Sequence, residues 1–469
     1  MATVPASPAP GARGAVFWST VNGGASVLLP FIVFALFARL MSPADLSLAM
    51  VAVAMLELLK VIGPQGVYDV VLAYPEEDRR HYRTAGALFL LGGIVTAMVF
   101  AGAVLASGRF LDHPLPPVLL ILIGKVVFDY AILQPQAILV RRGAMRRLGS
   151  RGLAAGVVAG AIGLGVALVA TPMTGLAIYY VAQSFVLFAM TAMGTGAWLA
   201  PAFDATAARE MASQATRASG VRLSAGVSNY FDQILLSAMA APAQVGPYNL
   251  GKRLEVVVIT MSSSFSQLLF QPTFARAGHD ERLHLVARGL STITLICGLP
   301  VALFAAFHRD LVPLLFGPQW RAAAGVVALL AVNGFIRALG GVAGALMTVT
   351  QRNGRLLALS AFAAVSNMAL IALFAAWGVI WAAAAIVLRN LMQTIATLAL
   401  TSELAGHVPA LLIRRVLLPI AVTTAVALGA EAVARLLVSD PVPLVRLAII
   451  AISGALGGVA GLLIVRRQM

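Results

Sequence analysis

Ten charged side chains fall inside apolar runs of this chain, and any chemistry it performs within those runs must pass through them. Glu57 and Lys60 stand in AVAMLELLKVIGPQGVYDVV, Lys125 and Asp129 in a second run, Asp232 in a third, and Lys252, Arg253 and Glu255 in a fourth, with Arg337 and Arg389 further on. A charge at the centre of a membrane span costs about 2.5 to 3.5 kcal/mol on insertion scales, so each of these groups must be paired or must face water. Glu57 precedes Lys60 by three residues, Lys125 precedes Asp129 by four and Lys252 precedes Glu255 by three, spacings that put partners on one helix face. Arg253, Arg337 and Arg389 lack such a neighbour on their own helices, Glu255 being expected to point away from Arg253. Six cations stand against four carboxylates, an excess of two positive charges.

That excess suits an anionic cargo, because buried guanidinium and ammonium groups are matched by anions that bring their own charge. Amides and hydroxyls recur beside the cations at spacings of three or four: Ser19, Asn22, Gly23 and Ser26; Asn229, Asp232 and Gln233; Asn249 with Lys252 and Arg253; Asn333 with Arg337; Arg389 with Gln393. Such polar stripes must meet protein or water rather than lipid. Two readings compete, helix-to-helix glue at about 0.6 kcal/mol per bond and a wet cleft that admits a polar cargo; stripes carrying Arg in both halves of the chain favour the cleft. Asp129 and Asp232 are candidates for coupling transport to an ion.

Bond-making chemistry finds no support. Cys297 is the single cysteine and lies in an apolar run, so neither an intrachain disulfide nor a thiolate metal site can form. His81, His113, His279, His284, His308 and His407 show no metal-ligand spacing. No phosphate-cradling glycine loop or nucleophile elbow occurs, which argues against ATP hydrolysis and acyl transfer. The expectation is a chain without cofactor or metal.

The elements that position these residues follow from composition. Of 469 residues 60% are hydrophobic and 11% charged, with a mean hydropathy of +0.92, whereas soluble domains carry about a quarter charged residues. An all-α polytopic membrane protein is expected. At about 20 apolar residues per crossing the chain divides into fourteen spans, the tenth long and rendered pliable by Gly334, Gly340, Gly341 and Gly344. The net charge of +15 arises from arginines clustered between spans, so it marks cytoplasmic loops, as at Arg79, Arg80, Arg83, Arg141, Arg142, Arg146 and Arg147, rather than nucleic-acid binding. Both termini are then cytoplasmic. The start, MATVPASPAPGARGA, reads as a short tail before a first span that acts as an uncleaved anchor. A polar loop at 201–222 separates a six-helix bundle over 1–200 from a second over 223–402, and 403–469 forms a final helix pair. No outer loop is long enough for a catalytic domain of the kind a membrane polymerase or ligase needs.

Three segments resemble one family. FARLMSPADLSLAMVAVAMLELL is similar to the ARxLGPxxFGxxxLA segment between the first two spans of Wzx-type polysaccharide flippases, within the multidrug/oligosaccharidyl-lipid/polysaccharide exporter (MOP) superfamily. VGPYNLGKRLEVVVITMSSSFSQLLFQPTFAR resembles the opening of that family's second half, and LVPLLFGPQWRAAAGVVALLAVNGFIRAL matches down to its LFGxxW turn. Ser42 stands where the family usually has Gly, and VYDVVLAYPEED replaces a more basic segment. The resemblance extends to about residue 405 and implies a MOP/MATE-like fold in a bacterial cytoplasmic membrane. It further implies transfer of an undecaprenyl-diphosphate-linked oligosaccharide from inner to outer leaflet by alternating access, for exopolysaccharide, capsule or O-antigen export. Membrane lipid, a polysaccharide polymerase and export machinery are the expected partners. On this reading Arg253, Arg337, Arg389, Lys252, Lys60 and Lys125 hold the diphosphate, and Asn22, Asn229, Asn249 and Gln393 the sugars. A MATE-type drug exporter and a lipid II flippase are the alternatives inside the superfamily.

Overall fold

The computed structural model describes residues 28–469 except 73, 76–77, 143, 194–195, 267–269, 271–272, 275–277, 351–352, 401–407, 438–442 and 469. Asn22 and the rest of the first polar stripe lie outside the described residues. No strand occurs among those described, and nine helices are long and apolar enough to cross a membrane, with shorter apolar helices at Leu28–Leu40 and Ala361–Trp377. The all-α expectation holds, while the count of fourteen is not reproduced. The helix carrying Glu57 and Lys60 falls outside the nine because it also holds Asp45 and so carries three charges within one span length.

The chain separates into two compact units, Met1–Ile234 and Leu235–Met469. In the first, α1 (Leu28–Leu40) leads into α2 (Pro43–Ile62) through Ser42, whose Oγ accepts from Asp45 N at 3.1 Å while Pro43 supplies a pre-set first residue. A short α3 (Gly66–Val71) follows the break at Gly63 and Pro64, then α4 (Arg79–Phe110). A 3-10 turn at Pro117–Leu122 opens α5 (Ile123–Ala131), continued by α6 (Leu133–Arg141). The antiparallel pair α7 (Met145–Val169) and α8 (Pro172–Ala192) is joined through Thr171, which caps Thr174 N, and Gly163 and Gly175 let the two backbones approach. Phe37, Phe89, Phe100, Tyr82, Tyr130 and Tyr179 fill the interior.

The expected loop at 201–222 is the clearest departure. From Ala205 it is helical and runs without a break into the expected seventh span, forming the 35-residue α9 (Ala205–Met239). Polarity there did not mark an absence of structure. The stretch ATAAREMASQATRAS is rich in good helix formers, and Asp204 Oδ1 accepts from Thr206 N at 2.8 Å and Ala207 N at 2.9 Å, starting the helix. The two units therefore divide inside α9, not at a loop.

In the second unit α10 (Pro242–Phe265) precedes α11 (His279–Ile293), a π-helical turn at Thr294–Gly298 and α12 (Leu299–Ala306). Next come α13 (His308–Phe316) and, after a 3-10 turn at Pro318–Ala323, α14 (Ala324–Val349). The LFGxxW turn has Gly317 at φ 105°, a conformation glycine tolerates and other residues rarely adopt, and it buries Trp320 completely. Then α15 (Asn353–Phe374) and α16 (Val379–Ala399) are separated by Gly378 at φ 112°. Short α17 (Val408–Leu412) and a π turn at Ile413–Leu417 lead to α18 (Leu418–Leu437) and α19 (Pro443–Gln468). Phe270, Phe274, Ile293, Phe335, Val342 and Leu398 form one core, Leu236, Tyr248, Leu330 and Ile386 a second, and Phe307, Ala427 and Ile450 tie the last helix pair to the unit. Outward-facing Leu105, Leu168, Phe362, Met392 and Leu436 are large, apolar and exposed, as lipid contact requires.

The pliable tenth span is α14, and it is one continuous helix. Two of its glycines serve packing: a Cβ at Gly334 would lie 3.0 Å from both Cα and O of Glu255, and one at Gly340 3.1 Å from Thr394 Oγ1.

Candidate functional site

Two polar centres form within the helices, one in each unit. In the first unit, Glu57 and Lys60 on α2 meet Lys125 and Asp129 on α5. Lys60 Nζ donates to Glu57 at 2.8 Å and to Asp129 at 2.6 Å; Lys125 Nζ donates to Glu57 at 2.8 Å and also to Asp129. Each lysine holds two carboxylates and each carboxylate two lysines, so four charges close into an alternating square. Ser184 on α8 adds a hydrogen bond to Asp129 at 2.6 Å. Both lysines are buried, at 8% exposure. The i to i+3 and i to i+4 pairings read from sequence are present, and cross-helix pairs as short as these double them.

Behind the square, Tyr130 Oη donates to Lys60 O at 2.8 Å, a carbonyl that also accepts from Gly63 N at 3.2 Å where α2 stops, and lies 3.4 Å from Thr96 Oγ1. A Cβ at Gly63 would come within 2.0 Å of that hydroxyl, so glycine is required there. The chain thus ends α2 one turn after its charged pair and uses the opening to seat a tyrosine.

In the second unit the site is built on α10, α14 and α16. Glu255, fully buried, accepts from Arg337 Nη1 at 2.6 Å and lies 3.6 Å from Lys252 Nζ. This corrects the expectation that Arg337 has no acidic partner. Helical spacing reports only neighbours on one helix, whereas here Gly334 brings the α14 backbone against Glu255 on α10, one turn before Arg337. On α16, Arg389 donates to Gln393 Oε1 at 3.0 Å and to Asn390 Oδ1 at 2.5 Å, and Asn390 Nδ2 donates to Asn333 Oδ1 of α14 at 2.8 Å. Thr394 closes the seam on Ile336 O at 3.0 Å. Asn249, Lys252 and Asn333 are buried, and Arg253 and Arg337 half-buried. Asp232 on α9 is buried at 2% exposure and Asn229 one turn earlier is half-buried.

The charge excess can now be located. The square contains two cations and two carboxylates and is neutral in itself. Helices α10, α14 and α16 carry Lys252, Arg253, Arg337 and Arg389 against Glu255 alone, so these three helices carry the positive excess. The sequence reading passed over Ser184, Tyr130, Asn390 and Thr394. Asn390 was adjacent to Arg389 and Tyr130 to Asp129, but nothing in a single sequence reports that Ser184 or Thr394 would meet those residues from another helix. Among the described residues no group of three or more His, Cys, Asp or Glu is placed to hold a metal ion.

Comparison with known proteins agrees with this architecture. A family model described as polysaccharide biosynthesis protein matches residues 36–325. No curated protein matches the chain. Among solved structures, lipid II flippase MurJ in an inward closed conformation superposes with a TM-score of 0.69 at 11% identity, over 95% of this chain and 97% of that one. A multidrug resistance MATE family transporter of the MOP superfamily, inward-facing, gives 0.57 at 14% identity over 85% and 98%. A MOP superfamily transporter from Pyrococcus furiosus gives 0.57 at 13% over 85% and 96%. At such identities the shared property is the fold.

Proposed function

We propose that this chain, which belongs to the polysaccharide biosynthesis protein family and has the MOP fold its resemblance to Wzx-type flippases implied, moves an undecaprenyl-diphosphate-linked oligosaccharide from the inner to the outer leaflet. A polar head cannot cross hydrocarbon unaided, because each polar group stripped of hydrogen bonds there costs several kcal/mol, roughly 2 to 7. Protein donors must replace water around it while the lipid tail stays in the membrane.

The observation that carries the reading is the cationic excess of α10, α14 and α16, with amides of Asn333, Asn390 and Gln393 interleaved among the guanidiniums. A guanidinium presents a planar fork of donors that suits phosphate oxygens, and amides both donate to and accept from sugar hydroxyls. In this reading Arg389, Arg337, Arg253 and Lys252 take the diphosphate, Asn229, Asn249 and Gln393 take sugar, and the α2–α5 square holds the first unit's helices together. Lys60 and Lys125, each satisfied by two carboxylates, are the weaker candidates for the anion. Excess positive charge opposes the cationic drugs of a MATE-type exporter. The cycle is alternating access in a bacterial inner membrane, delivering repeat units to a polymerase and export machinery, with Asp129 and Asp232 the carboxylates available for ion coupling.

The test is genetic and chemical together. Cells lacking the chain should accumulate lipid-linked repeat units accessible only from the cytoplasmic side and make little surface polymer, with both defects reversed by the restored gene. Normal polymer export combined with lost drug resistance would replace this reading with the exporter.

A further inference from the structure

At the start of α4 and α9, separate from the α2–α5 square, a histidine is enclosed by acids. His81 is 2% exposed; its Nδ1 lies 2.7 Å from Asp78 Oδ2 and its Nε2 lies 2.7 Å from Glu210 Oε2. Its ring stacks on Tyr74 at 3.9 Å and 16°. Arg80 Nη2 reaches both oxygens of Glu210 at 3.2 Å. Asp204 lies within electrostatic reach of Arg80 and His81, and Arg83 turns away to Ala200 O at 2.9 Å.

A neutral imidazole has one N–H and one lone pair, and an ionised carboxylate can only accept. With carboxylates on both nitrogens, only the imidazolium satisfies both contacts. The Asp78 carboxyl is held below the usual carboxylate range, first by its hydrogen bond from His81 against a smaller opposing effect of burial, which keeps it the acceptor. With His81 charged, two cations and two carboxylates balance; without that proton a lone pair faces an anion.

Glu210 belongs to α9, and α9 is the helix that carries the chain from the first unit into the second. Further along, its backbone presses on α3 so closely that a Cβ at Gly66 would come within 2.3 Å of Ala215 O and 2.4 Å of Ser219 Oγ. The polar half of α9 is therefore seated on the first unit at Glu210 and again at Ala215 and Ser219, the residues just before it are tied to α4 by Asp204 N on Thr84 Oγ1 and Ala202 N on Arg83 O, both at 3.2 Å, and among these contacts the one between His81 and Glu210 depends on a proton.

We propose that Asp78, His81, Glu210 and Arg80 form a proton-responsive latch: with His81 protonated the beginning of α9 is held on α4, and loss of that proton releases it. The latch stands on this geometry alone. That it regulates transport rests on the function proposed above.

Hydrogen exchange on the purified full chain in nanodiscs, without substrate, reads the latch directly. Amides of residues 205–213, corrected for the intrinsic pH dependence of exchange, should exchange about tenfold faster at alkaline than at near-neutral pH, the effect of losing one charge-assisted hydrogen bond. His81→Gln should show the fast rate at both, while amides of α14 stay unchanged in every case. Because His81 is buried, Glu210→Ala, at a half-exposed position, is the second variant; alanine offers Nε2 no partner in either state, so it should also be fast at both. Corrected rates that do not change with pH in the natural protein, or a pH response that survives in either variant, would overturn the proposal. Since no substrate is present, a failed flippase assay would leave this result standing, and the reverse also holds.

Discussion

Replacing Arg337 separates a structural from a transporting role, because its partner is so deeply buried. Glu255 has no exposed side-chain surface and accepts from Arg337 at 2.6 Å; with the guanidinium gone, Lys252 stands at 3.6 Å. Removing one member of a buried pair typically costs 3 to 5 kcal/mol, roughly, through the charge left behind. Lys252 recovers part of that, so Arg337→Ala is expected to lose about 1 to 3 kcal/mol and to lower the amount of protein in the membrane. The paired change Arg337→Met with Glu255→Gln removes both charges at similar volume and should restore part of the stability, Lys252 being left without its Glu255 contact. Transport should not return with it, because the donor fork for the diphosphate is still missing. The assay is thermal unfolding of the purified protein beside polymer export normalised to protein level. Export at natural level in the paired variant would refute the role assigned to Arg337, and unchanged unfolding of Arg337→Ala alone would refute the burial argument.

Three further outcomes are expected. Asp129→Asn should destabilise the first unit by about 3 kcal/mol, since it leaves two buried lysines sharing Glu57, and Lys125→Met added to it should recover much of the loss, read by unfolding of both variants. Gly63→Ala should be worse than Tyr130→Phe, because its Cβ would meet the Tyr130 hydroxyl at 2.0 Å, and combining the two should be milder than Gly63→Ala alone; equal severity would show that the collision does not occur. The Asp204 carboxyl is held below the usual carboxylate range by the backbone N–H of Ala207 and then that of Thr206. Its cap is fully present above the usual carboxylate range and lost as pH falls through the depressed value, so acid should speed amide exchange in the first turn of α9, and Asp204→Ala should abolish that dependence.

Much of this protein was legible before any coordinates. Apolar runs of span length, with few charges, permit little besides helices in a membrane, because an unpaired backbone group in hydrocarbon is too costly. Pairings inside one helix followed from 3.6-residue periodicity, and Glu57 with Lys60, Lys125 with Asp129 and Lys252 with Glu255 are all found. Gly317 in the LFGxxW turn carried its reason in its residue type. The reading failed at 201–222, where a span-based scan treats polar sequence as loop although Asp204 and the alanines after it promote helix.

By itself, then, the sequence determined the all-α membrane architecture, the basic loops between spans and the presence of more cations than carboxylates inside apolar runs, since each depends on composition or on spacing along one helix. Tertiary structure alone decided which charges meet across helices. Lys60 reaches Asp129 across 69 residues and Arg337 reaches Glu255 across 82, contacts set by how helices pack and by the glycines that let their backbones close. The same packing neutralised the α2–α5 charges among themselves and left the positive excess on α10, α14 and α16, because a charge's partner in a helical membrane protein is chosen by the neighbouring helix, which one-dimensional spacing does not encode.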